Sequence, residues 1–184
     1  AAPMAAAQLL ASAGAAYRAG KMEQAAQQAQ AALKADPAMA DAHTLLAAIA
    51  IENSDQEAAG RHYQQALAIA PGKGAYANNY GTWLCSNGRA AESLSWFDKA
   101  VADPEYGTRA AALANAGTCA HRTGQLGRAE AYWRQALALE PTEMQSLAGM
   151  ANLEFARALP RGAGIRRALP LLVLGARDEP RRPR

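Results

Sequence analysis

Apolar and small residues recur along this chain at helical spacing, and the whole pattern repeats. Segments reading "AAQQAQAALKADP", "AAGRHYQQALAIAP" and "RAEAYWRQALALEP" end at Pro37, Pro71 and Pro141. A further copy, "AESLSWFDKAVADP", ends at Pro104 and is followed by a short insertion, "EYGT". Pro37 and Pro71 lie 34 residues apart, and self-similarity at a fixed period of this length indicates an array of structural repeats.

Three positions of the repeat are always small. They hold Ala13, Ala47, Gly81 and Gly117; Ala25, Ala59, Ser93 and Ala129; and Ala32, Ala66, Ala100 and Ala136. Small residues let two antiparallel helices approach closely, and a bulky position (Tyr63, Phe97, Trp133, but Ala29 in the first copy) fills the gap to the next unit. Flexible turn positions between the two helices are Gly20, Ser54, Gly88 and Gly124. Each unit therefore reads as a helix, a tight turn and a second helix.

This pattern resembles the tetratricopeptide repeat (TPR), which implies an all-α fold, a right-handed α-solenoid. We expect the solenoid to cover residues 6–158, with units near 6–39, 40–73, 74–109 and 110–143 and a partial fifth from 144. Residues 159–184 form an atypical Arg/Pro-rich segment with four prolines. Prolines inside a helical register are costly, so a complete second helix is not expected there, although "RRALPLLVLGA" could form one short cap.

Composition supports the helical prediction and limits the partners. The chain of 184 residues is 51% hydrophobic, and only 6% of its residues are aromatic. Its net charge of +3 comes from the C-terminal segment, which holds seven arginines and only two acidic residues, Asp178 and Glu179. Residues 1–158 carry two more acidic than basic residues. A body this close to neutral lacks the basic stripe that nucleic-acid binding requires. The alternative of nucleic-acid binding through the arginine-rich segment stays open.

The chain shows neither a membrane span nor a targeting signal. No apolar run reaches the roughly 18 to 20 residues that a bilayer span requires. The first residues do not combine a basic start, an apolar stretch and a cleavage site, so we expect any targeting segment to lie outside this chain.

A solenoid of this kind lines its concave groove with residues from the first helix of each unit. The groove candidates at those positions are Asn78, Asn79, Thr82, Asn115, Thr118, His121, Arg122, Tyr17 and Phe155. Asn79 and Asn115 occupy the same position in adjacent repeats, and paired amides can donate to and accept from the backbone of an extended peptide. Alternatively, these amides brace neighbouring turns of the solenoid.

The two cysteines, Cys85 and Cys119, fall in the first helices of adjacent repeats. Because those helices lie side by side in a solenoid, the thiols can come within disulfide distance. A disulfide would indicate an oxidising compartment. The alternative is a pair of buried free thiols, since cysteine packs well as a small apolar residue.

Catalysis finds little support in the sequence. His43, His62 and His121 are scattered along the chain, and the motifs HExxH, CxxC and GxSxG are absent from the sequence. A metal site or an activated nucleophile would need such a cluster. We therefore expect no enzyme activity, no metal and no cofactor.

The segment "NNYGTWLCSNGRAAESLSWFDKAVADPEYGTRAAALANAGTCAHRTGQLGRAEAYWRQALALEP", residues 78–141, resembles the PilF/PilW family of TPR proteins in type IV pilus biogenesis. The resemblance covers roughly residues 8–155. It implies a periplasmic lipoprotein at the inner face of the outer membrane that acts as a pilotin, helping the pilus secretin to reach that membrane and to multimerise.

Two features depart from that family. No cysteine precedes Cys85, whereas family members carry a lipidated cysteine at the mature N-terminus, so a membrane connection would run through a lipid anchor absent from this chain. Family members also continue through about six repeats, and the arginine-rich segment does not match them. A generic TPR adaptor for another peptide partner remains the alternative function.

Overall fold

The computed structural model describes residues 2–159, and within that range it contains nine α-helices and no β-strand. The helices are α1 (Ala2–Arg18), α2 (Met22–Ala35), α3 (Ala40–Glu52), α4 (Gln56–Ile69), α5 (Gly74–Ser86), α6 (Ala90–Ala102), α7 (Arg109–Arg122), α8 (Leu126–Leu139) and α9 (Met144–Ala158). The all-α prediction is confirmed. The short cap predicted after Arg161 lies outside the described residues.

Consecutive helices pack in pairs, and each pair packs on the next. The strongest associations are α1 with α2, α3 with α4, α5 with α6 and α7 with α8, and α9 rests on α7 and α8. Helices α3 and α5 begin at the expected unit starts, Ala40 and Gly74. Helix α1 begins earlier than expected, at Ala2, and α9 continues past Phe155 to Ala158. The result is an α-solenoid.

The turn inside each pair has the backbone conformation that its sequence predicts. Gly20, Gly88 and Gly124 have φ angles of 74°, 81° and 76°, and Ser54 has a φ of 63°. In each turn the next backbone N–H reaches back to the end of the first helix, as Arg89 N does to Leu84 O at 2.8 Å. These left-handed turns satisfy carbonyls that the helix end would leave unpaired.

The small positions are where bulky side chains of the partner helix enter. A Cβ on Gly81 would lie 3.1 Å from the Phe97 ring, and Phe97 is fully buried. The predicted alanines at these positions are buried as well, among them Ala25, Ala59 and Ala129. The close helix approach inferred from the sequence is therefore confirmed.

The end of the third repeat and the insertion after it fold back onto the start of α5. Asp103 Oδ2 accepts a hydrogen bond of 2.7 Å from Gly74 N, and this bond is the main reason why the pKa of Asp103 is lowered. The Tyr106 ring lies so close to Gly74 that a Cβ there would come within 2.8 Å of it. Asp103 at the end of α6 and Tyr106 of the insertion thus fix where α5 begins.

Helix α9 is held by a seam of aromatic and ionic contacts. Trp133 of α8 is buried and lies against Gly149, where a Cβ would be 2.5 Å from its ring. Glu130 of α8 accepts hydrogen bonds from Arg157 of α9, which lowers the pKa of Glu130. At the start of α9, the Glu143 side chain accepts from the N–H groups of the first turn.

Candidate functional site

The first helices of the third and fourth repeats, α5 and α7, are joined at the centre of the solenoid. The structure places a disulfide between Cys85 and Cys119, with their Cα atoms 5.9 Å apart. Both residues are buried. The covalent link fixes the spacing of the two helices that carry most of the predicted groove residues.

An open depression of about 450 Å³ lies beside this link, between the second and fourth repeats. Its lining residues share one property, which is that none carries a formal charge. They are Ile51, Gln56, Tyr63, Asn78, Asn79, Thr82, Trp83, Ser86, Asn87 and Asn115. The surface is therefore built from amides, hydroxyls, aromatic rings and the aliphatic side chain of Ile51.

A smaller depression of about 130 Å³ continues the same surface toward α9. It is lined by Thr82, Cys85, Ser86, Phe97, Asn115, Thr118, Cys119, Arg122 and Gln145. Both depressions share Thr82, Ser86 and Asn115. We call the two together the amide trough, and Arg122 is the one ionised side chain among its lining residues.

Hydrogen bonds fix some of the trough amides and leave another available. Asn115 Nδ2 donates to Asn78 Oδ1 at 3.2 Å, and Gln145 Nε2 donates to Thr118 Oγ1 at 2.7 Å. Asn79 lies in the trough lining, and its side chain makes no hydrogen bond to any other residue in the range 5–159. The amide of Asn79 is thus free to pair with a bound chain.

The structure divides the expected amide pair. Asn115 bonds to Asn78 across the two repeats, which is the bracing role that the sequence left as an alternative. Asn79 has the same position in its repeat and lines the same depression as Asn115, but its side chain makes no hydrogen bond within residues 5–159. A role for both amides in binding remains a prediction, with Asn79 the better placed.

Arg122 sits at the end of the trough near the disulfide. Its Nη1 lies 3.7 Å from Cys85 Sγ, and the residue is exposed at the surface. Its charge is therefore hydrated and acts at the rim of the trough, where charges contribute less to affinity than buried ones.

The remaining candidates lie away from the trough lining. Tyr17 packs beside the first repeat's core, near Tyr63, whose pKa is raised by burial and to a smaller degree by Tyr17. The His121 ring is 5.8 Å from the Trp133 ring. Phe155 is 61% exposed on α9. None of these three residues is among those that line the trough.

Sequence reasoning missed several lining residues, and two of them had a signal. Ser86 and Gln145 occupy groove positions of their units under the same rule that selected Asn78 and Asn79, once the fifth unit is counted from Met144. Trp83, a further lining residue, is half-buried and contacts the preceding repeat, where its Nε1 donates to Gln56 O at 3.1 Å.

Two histidines meet outside the trough, between α3 and α4. The Nδ1 atoms of His43 and His62 are 3.0 Å apart, and the ring centroids are 5.3 Å apart, so one ring nitrogen donates to the other. Partial burial lowers the pKa of both imidazoles. The contact therefore requires at least one neutral ring.

Other kinds of site find no structural support within residues 2–159. No group of three or more histidine, cysteine or acidic side chains is arranged there to hold a metal ion. None of the helices in this range has the length and hydropathy needed to cross a bilayer.

Comparison with known proteins identifies the repeat and its relatives. A tetratricopeptide-repeat family model matches residues 110–143. The type IV pilus assembly protein PilF of Pseudomonas aeruginosa PAO1 is 29% identical over 134 residues, which are 73% of this chain and 53% of that protein. The chain thus spans about half the length of this relative.

Solved structures show the same relationship. The crystal structure of PilW, described as a widely conserved type IV pilus biogenesis factor, is 34% identical with a TM-score of 0.77, covering 82% of this chain and 69% of that one. The structure of Pseudomonas aeruginosa PilF is 26% identical with a TM-score of 0.80, covering 85% of this chain and 70% of that one. At 20% identity and a TM-score of 0.67, YrrB shows the shared solenoid fold alone.

Proposed function

This chain belongs to the PilF/PilW family of TPR proteins in type IV pilus biogenesis, and we propose that it is a non-enzymatic scaffold that binds the pilus secretin. In this role it helps the secretin to reach the outer membrane and to multimerise. The amide trough is the surface that holds the partner.

The observation that carries this proposal is the free amide of Asn79 inside an open, fixed trough. An extended chain brings unpaired backbone N–H and C=O groups, and these must find partners when they leave water. Asn79 can donate to one such group and accept from another. The hydroxyls of Thr82 and Ser86, one and two helical turns further along α5, line the same depression.

Rigidity supports the same role. The disulfide joins α5 and α7, and the bond between Asn115 and Asn78 ties their surfaces together. A trough that is already in its binding geometry loses less conformational entropy on association. The bracing amide and the free amide thus have complementary tasks.

The same features support an envelope location. Disulfides persist in oxidising compartments such as the bacterial periplasm, and the relatives are pilus biogenesis proteins. We place the protein in the periplasm, at the inner face of the outer membrane. Attachment there would use a lipidated N-terminal cysteine that precedes the residues of this chain.

Co-purification from native membranes tests the proposal. The wild-type chain should retain the secretin, and Asn79→Ala should retain about tenfold less, as expected for loss of a central contact. Gln65→Ala is the matched control, since Gln65 is an exposed amide on α4 outside the trough. All three proteins should have similar melting temperatures, because the Asn79 side chain bonds to no described residue.

Three outcomes contradict the proposal in different ways. Equal retention by wild type and Asn79→Ala would remove the trough from secretin binding. Retention of a different protein with the same dependence on Asn79 would favour the generic TPR adaptor. Early melting of Asn79→Ala would assign the amide to folding.

A further inference from the structure

The amide trough differs from a typical charged peptide clamp in the chemistry of its walls. All ten residues around the larger depression are uncharged. A charged side chain entering this space would lose hydration without meeting a counter-charge, which is strongly unfavourable. The lining therefore disfavours acidic and basic side chains alike.

The available hydrogen-bonding groups favour an extended partner over a helical one. A helix satisfies its own backbone groups, whereas an extended segment leaves them unpaired. Asn79 supplies both a donor and an acceptor, and Ser86 supplies a hydroxyl two helical turns further along α5. Thr82 Oγ1 donates to Asn78 O at 2.9 Å, so this hydroxyl can only accept from a bound chain. The polar groups of the wall are uncharged, as are those of a peptide backbone, and Ile51, Tyr63 and Trp83 supply its apolar part.

Aromatic walls complete the larger depression. Trp83 is stacked on Tyr80 with ring centroids 5.7 Å apart, and its Nε1 is fixed by the bond to Gln56 O. Tyr63 forms another part of the wall. Rigid aromatic faces bury aliphatic groups of small and uncharged side chains at little entropic cost.

We propose that the amide trough selects an internal, extended and uncharged segment of its partner, rich in small and amide or hydroxyl side chains. This inference rests on the proposed function, because it names the kind of segment that the same surface takes. Chain termini are disfavoured, since a free carboxylate or amine would place its charge against the neutral wall. Arg122 lies at the rim and is not required for the bound segment.

The test uses the full chain and a displayed library of random peptides flanked on both sides, so that no terminus is free. Peptides that bind should lack charge in their central residues. A synthetic peptide of the most enriched sequence is then measured by fluorescence polarisation. Placing one lysine or one glutamate at its centre should weaken binding at least about tenfold, because the new charge is desolvated.

Variants of the protein locate the effect. Asn79→Asp has nearly the same shape but puts a charge inside the trough, and it should weaken the neutral peptide about tenfold or more. Gln65→Asp, the matched exposed control, should leave binding within about twofold, since exposed charges act weakly.

Several results overturn the inference. They are enrichment of acidic or basic centres, no effect of Asn79→Asp, or failure of the library to yield any binder. Failure of the proposed function looks different, because neutral peptides would bind through Asn79 while the chain captured no secretin. Capture of secretin that is insensitive to Asn79→Asp would instead contradict both.

Discussion

Breaking the link between Cys85 and Cys119 should lower the stability of the solenoid substantially. The bond closes a loop with a sequence separation of 34 residues. In the chain-entropy model such a loop removes about 13 cal/mol/K from the unfolded chain, or about 4 kcal/mol at 25 °C. For a chain of this size about 2–4 °C of melting temperature corresponds to each kcal/mol, so the midpoint should fall by about 8–15 °C.

The assay compares three samples by thermal unfolding followed with circular dichroism. They are the oxidised wild type, the wild type under a reductant that cleaves the bond, and the double variant Cys85→Ala, Cys119→Ala. Reduction keeps both sulfurs in the core, whereas the variant also removes their packing. Because the link dominates in this account, both samples should melt well below the oxidised protein and close to one another.

Two results would refute this reasoning. If the reduced wild type melted within about 2 °C of the oxidised protein, the link would contribute less than about 1 kcal/mol and the entropy argument would fail. If only the alanine variant melted early, the loss would come from the cavity left by the sulfurs. Mass analysis of the oxidised protein that found two free thiols would remove the bond altogether.

Two further predictions use matched variants. Gly149→Ala should lower the free energy of unfolding by about 1–3 kcal/mol, because the added Cβ overpacks against the Trp133 ring. Gly127→Ala should raise it by up to about 1 kcal/mol, since its added Cβ meets nothing within 4 Å. A denaturant titration in which both variants changed stability in the same direction would contradict the packing account. The pair of His43 and His62 should make stability fall as pH drops below about 6.5, because the pKa of each imidazole is lower in the folded protein and protonation favours the unfolded chain. Melting temperatures measured across this pH range should fall less in the double variant His43→Gln, His62→Gln than in the wild type, and as much as in the wild type in His121→Gln, an exposed control. The same dependence of melting temperature on pH in all three proteins would refute the prediction.

The repeat made the fold readable from sequence. The small residues at fixed positions and the turn residues such as Gly88 each recur in four units, so four copies support the prediction at each position. Ser54 also has a positive φ. Serine alone would not indicate a left-handed turn, but its place in the repeat, equivalent to that of the turn glycines, does. Local rules and the global fold agree throughout the described pairs.

The candidate site was only partly readable. Position within a repeat places Asn79 and Asn115 on one surface, but it does not say which amide turns toward the neighbouring Asn78. That choice depends on side-chain rotamers and on the spacing of α5 and α7. The contact between His43 and His62 was not predicted for a similar reason. It joins the two helices of one repeat, and the repeat pattern has no position that indicates such a contact.

The contacts that hold α9 to α8 determine how this helix opens. In a linear array each unit is stabilised by its own contacts and by its neighbours, so a helix with neighbours on one side opens most readily. Within the described residues α9 has neighbours on one side, α7 and α8. The wedge of Trp133 against Gly149 and the clamp of Arg157 on Glu130 tie its opening to that of the fourth repeat. Helix α9 should therefore open in one cooperative step with α8, and the amide protons of α9 should exchange with solvent at the same rate as those of α8.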